Sequence, residues 1–201
     1  MDYKALYNFL YETGRYLTPE DTIHEGIVAR YDEVIGLLNN GTKKNHIDIG
    51  CSYGKTIEFF MDKGFESCGV DPALTVCTHI NQKHNKELAF EASATDLSMF
   101  KDRQFQILTS TDVIEHIMPA QMDFAIGEIC RICSDFMYVR ISKIPEHHKT
   151  DLASCPVTGV TELHVSVEQA DYYIQKFKQN NFEVVSTVDI FNFVDLVMKR
   201  I

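Results

Sequence analysis

The stretch IDIGCSYGKT, Ile47 to Thr56, sets an apolar strand, an acid, a glycine-bracketed turn and a helix start side by side, and Asp71 ends the next strand-like run. That order is the grammar of a nucleoside-binding α/β domain. Gly50 and Gly54 supply the torsion angles that a tight strand-to-helix turn needs and let backbone come close to a ligand. A helix beginning at Lys55 or Thr56 then turns unpaired N–H groups toward that ligand.

The glycine spacing excludes two common alternatives. Gly50 and Gly54 stand as GxxxG, whereas a dinucleotide-binding dehydrogenase wants GxGxxG. Gly54-Lys55-Thr56 looks like the end of a phosphate loop, but the first glycine of that pattern would fall at Ile49. What remains is a nucleoside compound with no pyrophosphate to cradle, held by acidic groups rather than basic ones.

Working outward, apolar runs alternate with helical patterns from His46 onward, the sign of βα units in a parallel sheet. Strands are expected at His46–Ile49, Ser67–Val70, Leu88–Ala92, Phe105–Ser110 and Phe136–Ile141, with helices at Lys55–Lys63, Leu74–Lys83 and Pro119–Cys133. Phe182–Val188 and Phe193–Lys199, joined by a short turn, read as an antiparallel hairpin. Before the core, Tyr3 to Tyr11 sets Leu6, Phe9 and Leu10 on one helical face and stops at Gly14. Thr18-Pro19-Glu20 reads as a cap and first turn, and Ile27–Leu38 as a helix that exits at Asn39-Asn40-Gly41. This aromatic-rich arm, residues 1–40, is placed to fold over the active site. Ser142 to Val165 is long and irregular, as functional loops are, and Ser166-Val167-Glu168-Gln169 reads as a capping box opening a helix that runs to about Gln179.

Composition narrows the class further. A chain of 201 residues holds one well-buried domain and is short for two, so a single domain over 1–201 is expected. Hydrophobic content of 45% and charged content of 24% set aside disordered and membrane classes. The N-terminus carries no basic leader, and a cytoplasmic location is expected. A net charge of −10 opposes phosphate-backbone binding, so nucleic acid is not expected as a partner. Cys130-Arg131-Ile132-Cys133 has CxxC spacing but no second such pair; buried thiols on a helix packed against the sheet are the expectation.

Three motifs in order, IDIGCSYG at Ile47–Gly54, GVDP at Gly69–Pro72 and TDVIEHI at Thr111–Ile117, resemble those of the class I S-adenosylmethionine-dependent methyltransferases, in their small-molecule branch. The resemblance covers about residue 44 to the C-terminus. It implies a Rossmann-like, doubly wound α/β fold of three layers, whose mostly parallel sheet of seven strands ends in the antiparallel hairpin. It also implies S-adenosyl-L-methionine as cofactor and a small molecule or sugar as methyl acceptor, at oxygen. Nucleic-acid base methyltransferases that act on amino groups often carry a proline-rich NPPY-like motif after the fourth strand; Thr111-Asp112-Val113-Ile114 stands there instead, which favours an oxygen, carbon or simple amine acceptor on a small molecule or glycan.

Residue by residue, the resemblance implies cofactor contacts from Asp48, Gly50, Cys51, Ser52 and Gly54 of the turn, and from Asp71 and Pro72 after the second strand. Asp48 would help hold the methionine amino group and Asp71 the ribose hydroxyls; the bland alternatives are a carboxylate capping its own turn and a helix cap. Ser93, Ala94 and Asp96 are candidates for the adenine edge, with Ser93 standing where the family usually has an Asp. Thr111 and Asp112 lie at the crevice outside the strand ends. For chemistry, His116 and His164, with Glu115 as partner, are the candidate bases, since histidine titrates near neutrality. Asp112, Glu115 and His116 at i, i+3 and i+4 would share a face if a helical turn begins there. With His164 they resemble the metal-binding set of small-RNA 2′-O-methyltransferases, except that Asp112 replaces a Glu; the same wording occurs in relatives that use no metal, and none is assigned. His147 and His148 are given no role. A metal-dependent RNA 2′-O-methyltransferase and a non-catalytic cofactor-binding module stand as the alternatives; oligomeric state is open.

Overall fold

The computed structural model describes residues 1–38, 44–145, 152 and 154–201. The expected exit at Asn39-Asn40-Gly41 and the pair His147 and His148 lie outside the described residues. In chain order the elements are α1 (Tyr3–Glu12), α2 (Glu25–Gly36), β1 (Asn45–Ile49), α3 (Lys55–Asp62), β2 (Glu66–Asp71), α4 (Leu74–His84), β3 (Ala89–Glu91), β4 (Phe105–Thr111), α5 (Met122–Ile132), β5 (Cys133–Ser142), α6 (Ala170–Gln179), β6 (Phe182–Asp189) and β7 (Phe193–Arg200). Short 3₁₀ turns at Ile114–His116 and Pro119–Gln121 lead into α5.

The strands form one sheet in the order β3-β2-β1-β4-β5-β7-β6, with β1 to β5 parallel and β7 antiparallel to both of its neighbours. The reversal between β1 and β4 puts a crevice at the carboxyl ends of the central strands, where open α/β sheets collect ligands. Alternation along the strands sends side chains to the two faces of the sheet. Met137, Val139 and Ile141 of β5 enter the face covered by Ile126 and Ile129 of α5 and Tyr173 and Phe177 of α6. Tyr138 faces the other side, with Tyr31 and Val34 of α2, Phe60 of α3 and Ile107 of β4. Tyr31 is 1% exposed and its ring meets Phe59, Phe60 and Tyr138 at 5.3–5.6 Å, so burial of this one side chain stabilises the α2 contact by about 2 kcal/mol.

Several local expectations are corrected by tertiary partners. Thr18-Pro19-Glu20 starts no helix: the Thr18 N–H donates to Asp21 at 2.6 Å and closes a turn, and α2 begins at Glu25, where His24 Nδ1 accepts from the Gly26 N–H at 3.1 Å. The capping box at Ser166 does not form, because the Ser166 hydroxyl donates to the Ile117 carbonyl at 2.6 Å and α6 starts only at Ala170. On α1 the buried face is Tyr3, Leu6, Tyr7, Leu10 and Tyr11, with Phe9 only half-buried. Cys133 is not helical but opens β5; Cys130 and Cys133 are buried free thiols. No helix of the described residues is long and apolar enough to cross a membrane.

Candidate functional site

The turn after β1 does what its glycines require. Gly50 has φ +77° and Gly54 φ +79°, and a Cβ on Gly50 would stand 2.3 Å from Val113 Cγ2. The N–H groups of Gly50 and Cys51 both donate to the Val70 carbonyl, at 2.8 and 2.9 Å, which ties the turn to β2. The Ser52 N–H donates to Asp71 at 3.0 Å, so one turn donor is already occupied.

A cavity of about 410 Å³ lies over this turn, within the size range of small-ligand sites. Its floor includes Asp48, Gly50, Cys51 and Ser52, and one side is formed by Asp71, Pro72, Ser93 and Ala94. Thr111, Asp112 and His116 line the side beyond β4, and Tyr3, Tyr7, Tyr11 and Tyr31 of the helical arm complete the enclosure. Of the expected site residues, Gly54, Asp96, Glu115 and His164 do not line it. Gly54 sits beneath, where a Cβ would meet Ile80 at 2.9 Å. Asp96 points outward and accepts from the Ser98 hydroxyl at 2.7 Å, which holds its pKa below the usual value and caps the local turn.

Two buried acids dominate the electrostatics. Asp48, 2% exposed, is pushed up to about 7 by burial, against the lowering effect of hydrogen bonds from Thr109 and Thr56. Asp71, 4% exposed, is pushed up to about 6 by burial, against bonds from the Ala73 and Ser52 N–H groups. Asp71 therefore caps the entry to α4, at 2.9 Å from Ala73 N, and still has lone pairs facing the cavity. A ligand bringing hydroxyls and positive charge fits this pair. The cavity edge also carries Arg140, whose guanidinium grips Asp195 at 2.7 and 2.8 Å and lies 3.9 Å from the Phe193 ring centroid.

Glu115, His116 and His164 come together, but not on one helical face. Asp112 has φ +54° and lies before the 3₁₀ turn, so it diverges from Glu115 and His116. Glu115 is fully buried; one oxygen accepts from the Ser142 N–H at 2.9 Å and the other, Oε2, has no partner. Burial, then the Asp112 charge, raise its pKa well above the usual value. His116 has an unpartnered Nδ1, and burial, then His164, lower its pKa to about 3. The two imidazoles meet edge to face with centroids 4.8 Å apart. His164 Nδ1 lies 2.9 Å from the Ile144 carbonyl, and since a carbonyl only accepts, Nδ1–H is the donor.

Sequence reading did not single out Arg140, Thr56 or Tyr31 as cavity residues. A lone charge inside the apolar run Tyr138-Val139-Arg140-Ile141 was the available signal for Arg140, with its partner in Val194-Asp195-Leu196; the aromatic density of the arm was the signal for Tyr31.

A family model described as a methyltransferase domain matches residues 25–187, and the chain belongs to that family, the class I S-adenosylmethionine-dependent methyltransferases. Its cofactor is S-adenosylmethionine. The fold is similar to that of magnesium protoporphyrin IX methyltransferase from Synechocystis, solved with bound S-adenosylmethionine, at 11% identity and a TM-score of 0.70 over 100% of this chain and 98% of that one. An S-adenosylmethionine-dependent methyltransferase from Mesorhizobium loti is similar at 10% identity and a TM-score of 0.65, covering 86% of this chain and 98% of that one. No curated protein matches the chain.

Proposed function

We propose that this enzyme methylates a hydroxyl oxygen of a small polar metabolite or sugar, with the chain acting as one domain and residues 1–40 as the arm that encloses the reactants. Asp48 and the turn Gly50–Ser52 hold the methionine end of the cofactor, Asp71 its ribose, and Ser93 and Ala94 its adenine edge. When bound, S-adenosylmethionine supplies an activated methyl group for in-line displacement, a reaction that depends above all on alignment. His116 accepts the hydroxyl proton at its imidazole as the oxygen takes the methyl group. His164 packs edge to face against the ring and orients it, with the buried Glu115 carboxyl beside them.

The observation that carries this reading is a neutral imidazole in the same cavity wall as Asp112 and Thr111, with a buried Nδ1 that pairs with no protein group. A positioned base is worth about 10²–10⁴ in rate. The test is methyl transfer from labelled cofactor to a panel of small hydroxyl compounds and sugars, read by mass spectrometry, with His116→Gln alongside. The expected result is an O-methylated product whose kcat falls at least about 100-fold in the variant with cofactor affinity unchanged. Methylation at nitrogen or sulfur only, or an unaffected variant, would overturn it. A second reading, a metal-dependent RNA 2′-O-methyltransferase, is favoured by one observation: ligand atoms of Glu115, His116 and His164 lie within 4.8 Å of one another. Asp112 falls outside that group and the net charge opposes RNA. Magnesium-dependent transfer to RNA in the same assay would reverse the ranking.

A further inference from the structure

Behind the cavity floor four buried side chains form a single file across three strands. The Ser67 hydroxyl of β2 lies 2.8 Å from His46 Nδ1 of β1, His46 Nε2 lies 2.8 Å from the Thr109 hydroxyl of β4, and Thr109 lies 2.5 Å from Asp48 Oδ1. None of the four is more than 6% exposed. Ser67, His46 and Thr109 do not line the cavity, whereas Asp48 does.

With Asp48 ionised, hydrogen-bond chemistry gives the file one direction. An ionised carboxylate only accepts, so the Thr109 proton points at Asp48 and the Thr109 oxygen must receive the Nε2–H of His46. The ring carries no second proton: burial lowers its pKa well below the ordinary value, and one face stacks on Phe60 with centroids 3.6 Å apart. Nδ1 is therefore bare and accepts from Ser67. Run the other way, with Nδ1–H donating to Ser67, the same file suits a protonated Asp48. An ionised Asp48 thus requires the Nε2–H tautomer, and the Nδ1–H tautomer requires a protonated Asp48.

We propose that His46 and Thr109 are positioning residues for cofactor capture: in the Nε2–H tautomer the Ser67–His46–Thr109 file turns every donor toward Asp48 and presents it as a bare carboxylate to the ammonium group of the methionine moiety. This rests on the reading of Asp48 as the holder of that ammonium. Other titratable groups facing Asp48 are Tyr31 of α2, Cys51 of the turn, and Cys68 and Asp71 of β2, with Asp112 beyond Tyr31. Burial keeps the phenol and both thiols protonated through neutral pH. Asp71 faces the ribose, so its titration affects any adenosine ligand equally.

The test compares two ligands by calorimetry from pH 6 to 9: S-adenosylhomocysteine, which carries the ammonium, and methylthioadenosine, which lacks it. Thr109→Val should weaken S-adenosylhomocysteine at least about tenfold near pH 7, since bonds to charged groups are the strong ones. The deficit should shrink as pH rises and ionises Asp48, Thr109→Ser should restore affinity, and methylthioadenosine should bind every variant alike. Asp48→Asn separates the two levels. If it binds S-adenosylhomocysteine as wild type does, the reading of Asp48 falls; if it loses affinity while Thr109→Val does not, only the file is refuted. A measurement on the unaltered enzyme guards against misfolding: ¹⁵N spectra of the histidines should show His46 as the Nε2–H tautomer in the complex, and an Nδ1–H or doubly protonated ring overturns the proposal.

Discussion

Replacing Asp48 by Asn should stabilise the ligand-free enzyme, and the gain should depend on pH. Burial raises the Asp48 pKa from 3.8 to about 7. A carboxyl whose folded pKa lies above its unfolded value favours folding fully below the unfolded value, and that contribution is lost as pH rises through the folded one. A rise of that size corresponds to about 4 kcal/mol lost by pH 8. Asn keeps the shape, accepts from Thr109 and carries no charge, so its advantage should grow from near zero at pH 4 to about 4 kcal/mol at pH 8, roughly 10 °C in Tm for a chain of this size. His46 and His116 act in the opposite sense, because their lowered pKa values favour folding above about 6.5 and that stability is lost as pH falls, but they are common to both proteins and cancel in the difference. Urea unfolding at a series of pH values measures it. Saturating cofactor should narrow the gap, since ligand at 100 times Kd stabilises only the protein that binds it, by about 2.7 kcal/mol. A variant that is less stable at pH 8, or an advantage independent of pH, would refute the assignment of a strained charge to Asp48.

Arg140→Met should cost about 3–5 kcal/mol, because it strands Asp195, whose side chain is 4% exposed, without its bidentate partner. Arg140→Met with Asp195→Leu should recover most of that loss in denaturant unfolding. Gly50→Ala should abolish cofactor binding by calorimetry: its φ of +77° is unfavourable for Ala, and the new Cβ would meet Val113 at 2.3 Å and push the turn off β2.

The parts of the fold legible in the sequence are those set by short-range physics. The turn from Gly50 to Gly54 needs positive φ and has it, and the five parallel strands and final hairpin follow from period and turn residues. What failed was local grammar overruled by distant partners. Ser166 has the neighbours of a cap, but the Ile117 carbonyl, 49 residues away, takes its proton. Asp112, Glu115 and His116 have helical spacing, yet the left-handed backbone at Asp112 breaks the shared face. The acids of the site were readable because each sits at the carboxyl end of a strand, Asp48 one residue before β1 ends and Asp71 as the last residue of β2. Arg140 was not, because its meaning depends on the register that sets it opposite Asp195, which only the assembled β5–β7 pair defines.

The charges along the carboxyl edge of the sheet divide into two kinds. At β5 and β7 the Arg140–Asp195 pair is closed on itself, with the Tyr138 hydroxyl donating to Asp195 at 3.0 Å, and its attraction offsets its desolvation in place. At β1 and β2, Asp48 and Asp71 receive only neutral donors, Thr109, Thr56, Ser52 and Ala73, and both pKa values rise. Neutral donors can orient a buried carboxylate but cannot cancel its charge, so part of the desolvation cost persists in the folded chain. A residue pair that served only the fold would be closed, as the β5–β7 pair is. The open pair lies beside a turn whose backbone bends to left-handed torsions at Gly50, Ser52 and Gly54, so uncompensated charge and a glycine-dependent turn sit together at the carboxyl ends of β1 and β2.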